Sequence, residues 1–313
     1  MMKLALIGCG KWGRHYLKTL TSLEDCELRW VCDSDPQKLK DAVAAYPQIK
    51  GTENKADILN DNSVQGVVIA TTPESHYLLA KEFIGRGKSV LVEKPVTIDH
   101  KDSMDLIHLA AAQNRVLMAG YTLIYHPAVK KIKRFLEENK MSDHLCYLNM
   151  SRTNSAPQVS GVDVLHDLAV HDIYLSRHLT GEDPVWVIAQ GGSSVIYILL
   201  GFPQGKIASI FASCMHTEKT RKITLVSERI KLVFDDVQPA HKKIQLLMNG
   251  ESNHLFIAEE NLEPLKRECL HFMECIRENK EPHSGKEDIR FVAKITDYIA
   301  RSLAKGGEKV TIR

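Results

Sequence analysis

Over the first 120 residues, short and nearly continuous apolar runs alternate with helical stretches, and few folds accommodate that order. The sequence predicts strands at Lys3–Ile7, Glu27–Cys32, Gly66–Ala70, Ser89–Val92 and Val116–Ala119. Helices are predicted over Lys11–Leu23, from Asp35-Pro36 onward, over Glu74–Gly85 and over Asp99–Asn114. Asp35 is placed to cap its helix, and Pro36 fills the first helical position, where a missing N–H costs nothing. Strands apolar on both faces and separated by helices form a parallel sheet covered on both sides. The expectation for residues 1–120 is a doubly wound α/β domain.

After Gly120 the rhythm changes. A helix (Pro127–Asn139), a strand (Leu145–Ser151), a loop (Thr153–Ser160) and a helix (Asp163–Leu179) come first. Then VWVIAQ, VIYILLGF, KIASIFAS, RKITLVS, IKLVFD and KIQLLM follow with little room for helices between them, which reads as an antiparallel meander. Two helices close the chain, Pro264–Arg277 and Lys286–Ala304. Residues 121–313 are therefore expected to form an α+β domain on a large, mostly antiparallel open sheet, with helices on one face.

The length of 313 residues fits two domains of roughly 150 residues each. Lys and Arg number 41 and Asp and Glu 39, so a net charge of +2 gives no field to steer the chain to nucleic acid or a membrane. Lys130, Lys131, Lys133 and Arg134 form the densest basic cluster, and it reads as one solvated helix face. Seven scattered cysteines without a C-x-x-C pair suit a reducing compartment. The apolar run at the N-terminus ends at Cys9 and lacks a cleavage pattern, so a cytoplasmic location is expected.

Gly8-Cys9-Gly10-Lys11-Trp12-Gly13 is a G-x-G-x-x-G that follows a strand and opens a helix. In that setting the glycines permit a tight turn, close approach of a pyrophosphate and close helix packing, while helix N–H groups face the phosphates. Asp33 ends the next strand, about 20 residues beyond Gly13, the spacing at which an acid accepts from the adenosine ribose hydroxyls. Its carboxylate would repel a 2′-phosphate, so NAD is expected in preference to NADP. Glu93-Lys94-Pro95 follows SVLV at the carboxyl edge of the parallel sheet, where ligands bind in such folds. A lysine there can stabilise a developing alkoxide, although strand-end lysines are commonly just solvated.

Asp167 and His171 stand four residues apart in HDLAVHDIYLSRHL, so both can face one cleft. An acid orienting a histidine that takes a hydroxyl proton is a recurring general-base arrangement. A metal site using His166, Asp167, His171 and Asp172 is the competing reading, but no cysteine or third histidine has metal spacing, and no metal is expected. Tyr125 and His126, Arg152 and Asn154 at a strand end, and Asp167 and Asp172 can hold several hydroxyls of a substrate. Arg152 would suit a carboxylate or diphosphate.

Together, GCGKWG, VCDSDP, VVIATTPESHYLLA, VLVEKPVT, GYTLIYHPAV, DLAVHD and ARSLAKGGEKV resemble the glucose–fructose oxidoreductase / inositol dehydrogenase / MocA (Gfo/Idh/MocA) family of nicotinamide-dependent sugar and polyol dehydrogenases, over essentially the whole chain. The resemblance implies an N-terminal NAD-binding Rossmann domain, catalytic Lys94 and His171, and Asp167 in support. It implies that Thr71, Thr72, Pro73 and His76 line the nicotinamide side of the cofactor pocket, beside Glu93 and Lys94. It also implies a cis Lys94–Pro95 peptide and a second domain whose open sheet packs against another subunit, giving homodimers or homotetramers. VDVLHDLAVHDIYL and PLKRECLHFMECIRENKEP look closest to members acting on nucleotide-linked sugars, although Tyr174 stands where many relatives carry an acid and no arginine occurs near Pro157-Gln158. The resulting expectation is an NAD-dependent dehydrogenase of a sugar or nucleotide-sugar. A dehydrogenase of inositol or a free sugar, and a non-catalytic NAD(P)-binding regulator, are the alternatives.

Overall fold

The computed structural model describes residues 1–139, 141–155, 162–248, 251–255 and 263–313. Two compact units emerge. The first comprises Met1–Thr122 with Leu265–Ala293, and the second Leu123–Pro264 with Lys294–Arg313.

In the first unit, β1 (Met2–Ile7), β2 (Cys26–Cys32), β3 (Lys50–Thr52), β4 (Gly66–Ile69), β5 (Ser89–Glu93) and β6 (Leu117–Gly120) are joined by helices α1 (Lys11–Thr21), α2 (Pro36–Ala45), α3 (Lys55–Asn60), α4 (Pro73–Gly85) and α5 (His100–Ala112). The strands are all parallel, in the order β3-β2-β1-β4-β5-β6. That is the Rossmann order, with its crevice where β1 and β4 diverge. Every residue of β4 and β5 is buried, as the unbroken apolar runs require. Asp35 caps α2 by accepting from the N–H groups of Gln37 and Lys38. Only the short β3 and α3 go beyond the sequence reading. They are three and six residues long, too brief for a periodicity signal.

The first unit is not one continuous stretch, because the later helix α8 (Pro264–Glu278) packs on β4. A Cβ on Gly66 would lie 2.7 Å from Cδ1 of Ile276 and 3.2 Å from Cε1 of Phe272, so glycine is what lets this helix lie against the strand. Farther on, Ser284 accepts from Ala119 N–H through its carbonyl (2.8 Å) and donates to the Ala119 carbonyl through its hydroxyl (2.7 Å). These contacts hold residues 265–293 to the sheet, and a division at residue 120 alone does not describe the packing.

The second unit holds α6 (Pro127–Glu138), β7 (Leu145–Thr153), α7 (Val170–Thr180), β8 (Trp186–Gly191), β9 (Val195–Gly201), β10 (Ile207–Ser213), β11 (Thr220–Ser227), β12 (Ile230–Asp235), β13 (Ile244–Met248), β14 (Glu251–His254), the later part of α9 (Lys286–Ala304) and β15 (Val310–Thr311). Its sheet runs β14-β13-β12-β11-β7-β10-β9-β8-β15. This corrects the single meander: β7 inserts between β10 and β11, parallel to the former and antiparallel to the latter. Two antiparallel runs therefore flank a strand from earlier in the chain. Inward positions of β7 and β11 pair as Leu148 with Leu225 and Met150 with Ile223, all buried. On the other face Tyr147, Tyr197, Leu199 and Ile207 are exposed. Part of the loop following β7, residues 156–161 including Pro157-Gln158, lies outside the described residues.

Candidate functional site

The glycine motif occupies the crevice of the first sheet. Gly8 has φ +96°, and a Cβ there would fall 2.6 Å from the carbonyl oxygen of Ala70, just past β4. A Cβ on Gly13 would lie 2.0 Å from the Gly8 carbonyl oxygen, so turn and helix touch backbone to backbone. Gly10 caps α1 without a side chain, and no atom lies within 4 Å of where its Cβ would be. The helix start is therefore an open cradle of N–H groups, the geometry a pyrophosphate needs. Lys11 and Trp12 are exposed beside it. Asp33 closes the turn: its Oδ2 accepts from Cys9 N–H (2.6 Å) and its Oδ1 from Asp35 N–H (2.8 Å). Each oxygen keeps a lone pair for a ribose hydroxyl. These residues fit a dinucleotide.

Thr71, Thr72 and Pro73 form the next loop and the start of α4. Thr71 Oγ1 lies 2.7 Å from Ser75 Oγ, which donates to the Thr72 carbonyl (2.8 Å). His76 does not line an open surface. It is 1% exposed, with Nδ1 2.8 Å from the Pro95 carbonyl and Nε2 3.1 Å from that of Thr71. Burial lowers its pKa against the pull of those two carbonyls. It braces two loops, and the Lys94–Pro95 peptide it helps hold is cis.

Glu93 likewise points inward and is buried, its Oε2 accepting from Lys94 N–H (3.0 Å). Its Oε1 lies 3.0 Å from the hydroxyl of Tyr16, which is 3.2 Å from Oε2 of Glu268 on α8. Thr122 also donates to that oxygen (3.1 Å), and Glu268 Oε1 has no partner among the described residues. Burial raises the pKa of both carboxyls, and the charge of Glu93 raises that of Glu268 further. A consistent proton arrangement has neutral Glu268 donating to Tyr16 and Tyr16 donating to ionised Glu93. The sequence reading missed Tyr16 and Glu268. A signal for the latter was present: an acid in the stripe Glu268, Phe272, Cys275 that is otherwise apolar and buried.

In the second unit, the helix carrying Asp167 and His171 opens with a π-turn, Leu165–Ala169, before α7 begins. Such wide turns recur at functional positions. Asp167 and His171 are half-buried. His171 Nδ1 lies 3.1 Å from the Tyr174 hydroxyl, so Tyr174 is an orienting partner that helical spacing alone did not single out. His166 turns to Asp163, 2.8 Å away.

Arg152 departs from expectation. It makes a bidentate pair with Asp172, Nη2 to Oδ1 at 2.7 Å and Nε to Oδ2 at 3.1 Å, and both side chains are buried. Although burial acts the other way, the Asp172 carboxylate holds the guanidinium above its usual pKa. Arg152 and Asp172 therefore tie β7 to α7, and their charged groups are spent on each other. Asn154 continues past β7, its Oδ1 accepting from Nη2 of Arg221 (2.8 Å). Tyr125 is buried, with Lys130 Nζ 5.7 Å from its ring centre. His126 caps α6 by accepting from Ala128 N–H through Nδ1, which leaves Nε2 to donate to Asp236 (3.3 Å).

Residues 2–121 match the model of an oxidoreductase family with an NAD-binding Rossmann fold, Gfo/Idh/MocA. An inositol 2-dehydrogenase of Rhizobium meliloti is 26% identical over 60% of the chain and 58% of its own length, so the match spans little more than half of that relative. A UDP-N-acetylglucosamine 3-dehydrogenase of Acidithiobacillus ferrooxidans is 25% identical over 72% of the chain and 71% of its own length. The solved structure of a UDP-N-acetylglucosamine 3-dehydrogenase from that organism superposes with a TM-score of 0.87 at 22% identity, covering 97% of this chain and 98% of that one. A levoglucosan dehydrogenase in complex with NADH and L-sorbose reaches 0.89 at 18% identity, covering 100% and 99%. Both units thus share their fold with these structures.

Proposed function

We propose that the protein is an NAD-dependent dehydrogenase of a sugar or nucleotide-linked sugar, a reading supported by the match of residues 2–121 to the Gfo/Idh/MocA oxidoreductase model with its NAD-binding Rossmann fold. The observation that carries the reading is the open helix start at Gly10, which has no side-chain cap, with Asp33 closing the turn beneath it. NAD, when bound, accepts or returns the hydride. The protein supplies orientation and charge.

In this reading Lys94 stabilises the developing alkoxide and His171 takes the hydroxyl proton, with Tyr174 holding its ring and Asp167 in support. His76 and Glu93 shape the backbone around Lys94 rather than touch substrate. A nucleotide-linked sugar is preferred to free inositol because the relative named UDP-N-acetylglucosamine 3-dehydrogenase aligns over 72% of the chain, against 60% for the inositol 2-dehydrogenase. The exposed apolar face of Tyr147, Tyr197, Leu199 and Ile207, with Tyr197 stacked on Phe211 at 4.6 Å, favours a homodimer or homotetramer formed through the open sheet. All seven cysteines are free thiols, and no described helix is long and apolar enough to cross a membrane, which favours a cytoplasmic enzyme.

Incubation with NAD and a panel of nucleotide-sugars, sugar acids, aldoses and inositols tests the reading. NADH should form with at least one class. Failure to reduce NAD with every alcohol, or an absolute requirement for NADP, would overturn it.

A further inference from the structure

Near the paired ends of β7 and β11, the buried cationic side chains among the described residues are each matched by a carboxylate. Arg152 is matched by Asp172 at 2.7 Å and Lys243 by Asp236 at 2.6 Å, with His126 on the same Asp236 oxygen. The half-buried Arg221 differs. It stands directly across the ladder from Arg152, on the face toward α7. Its Nη1 donates to the carbonyls of Thr153 (2.6 Å) and Thr220 (2.8 Å), and its Nη2 donates to Asn154 Oδ1 (2.8 Å). All three acceptors are neutral.

Among the described residues, therefore, a half-buried guanidinium has no carboxylate of its own. Two of its five N–H donors, one on Nε and one on Nη2, are left for a ligand. Burial and the adjacent Arg152 lower its pKa to about 10, while Asp172, Asp236 and Asp167 act the other way. An ion partly removed from water whose hydrogen bonds all go to neutral acceptors is costly, and an anion in direct contact relieves that cost. The three existing bonds fix the plane of the fork, so little side-chain freedom is lost when the anion binds. A planar fork of this kind matches a carboxylate or phosphate in two-point contact.

We propose that Arg221 receives an anionic group of the substrate, the carboxylate of a sugar acid or the diphosphate of a nucleotide-linked sugar, and so selects charged over neutral sugars. This rests on the dehydrogenase reading above, and it moves to Arg221 the role that the sequence suggested for Arg152. Arg221 is inward-facing by strand parity with Ile223 and Leu225, a signal present in the sequence RKITLVS.

The test uses the full-length protein and two variants, Arg221→Met and Arg221→Lys. Calorimetric titration of the NADH-loaded protein with uridine diphosphate and, separately, glucuronate measures the anion site directly. Kinetics with UDP-N-acetylglucosamine, glucuronate and myo-inositol measure selectivity. Arg221→Met should weaken binding of at least one anion tenfold or more. It should raise KM for the matching substrate by a similar factor with a smaller change in kcat, and so lower the anionic-to-neutral ratio of kcat/KM. Arg221→Lys, which keeps the charge without the fork, should fall between. The two anions distinguish a carboxylate from a diphosphate as the group recognised. Unchanged anion binding in Arg221→Met, or no binding of either anion by the wild type, would overturn the proposal. Oxidation of inositol with neither anion bound defeats the Arg221 assignment and spares the dehydrogenase reading. Arg221-dependent anion binding without reduction of NAD by any sugar does the reverse.

Discussion

The hydroxyl of Tyr16 lies 3.0 Å from Oε1 of Glu93, joining the helix that follows the glycine turn to the residue before Lys94. With Glu268 3.2 Å away on the other side, one phenol stands between two buried carboxyls. A single O–H can donate to only one of them, so the arrangement is satisfied when one proton remains on the pair.

That proton gives a pH signature. Both carboxyls have raised pKa values, chiefly through burial. In the unfolded chain a glutamic acid ionises near about 4.3. The stabilisation is therefore complete below that pH and is lost as the pH rises toward the higher folded-state value. Glu268→Gln removes the titration while keeping the shape. Its Tm should exceed that of the wild type at pH 8, by on the order of 2 °C, with the difference shrinking toward pH 5. A thermal scan series checks this; a difference that grows on acidification would show that Glu268 is ionised.

Asp33 should set the cofactor. Its carboxylate should favour NAD(H) over NADP(H) at least tenfold, about 1.4 kcal/mol, and Asp33→Ala should narrow the gap. Fluorescence titration with both reduced cofactors measures it. Equal affinities in the wild type would remove Asp33 from that role.

The Arg152–Asp172 pair should behave as a structural element. Arg152→Met leaves a buried carboxylate unpaired and should cost about 3–5 kcal/mol, whereas the double change Arg152→Met/Asp172→Leu should recover most of it. Denaturant unfolding gives the comparison. A single variant of unaltered stability with a raised substrate KM would return Arg152 to substrate binding.

Much of this was legible in the residues, and the misses have physical causes. Parallel strands buried on both faces read clearly because unbroken apolar runs such as GVVIA and SVLV have no other use. The position of β7 did not, because strand order is set by long-range pairing and β10 reads the same whether β7 or β11 lies beside it. Gly8, Gly10, Gly13 and Asp33 were legible because backbone chemistry constrains them to a spacing. His76, Glu93 and Arg152 carry polar side chains that suit a ligand equally well, and only their buried partners, the Pro95 carbonyl, Tyr16 and Asp172, reveal inward roles. Arg221 and Glu268 were detectable as charges at apolar positions of a strand and a helix.

Lys94→Met and His171→Ala should each lower kcat by roughly 10²-fold or more, the usual loss for a positioned charge or base. NADH affinity should change little in either. Steady-state kinetics alongside cofactor titration separates the two effects. Near wild-type turnover in His171→Ala would place the base elsewhere.

Transfer of a deuterium label reports directly on whether hydride passes from the sugar to NAD. A sugar or nucleotide-sugar that supports NADH formation is prepared with deuterium on the carbon bearing the secondary hydroxyl, incubated with the protein and NAD, and the recovered nicotinamide analysed by NMR. A sugar dehydrogenase leaves one deuterium at C4 of the reduced ring and a ketone at the labelled carbon, and the Lys94→Met and His171→Ala variants should lose the transfer. Bound NAD that stays oxidised and unlabelled with every sugar tried would instead mark the protein as a non-catalytic sensor of the cofactor.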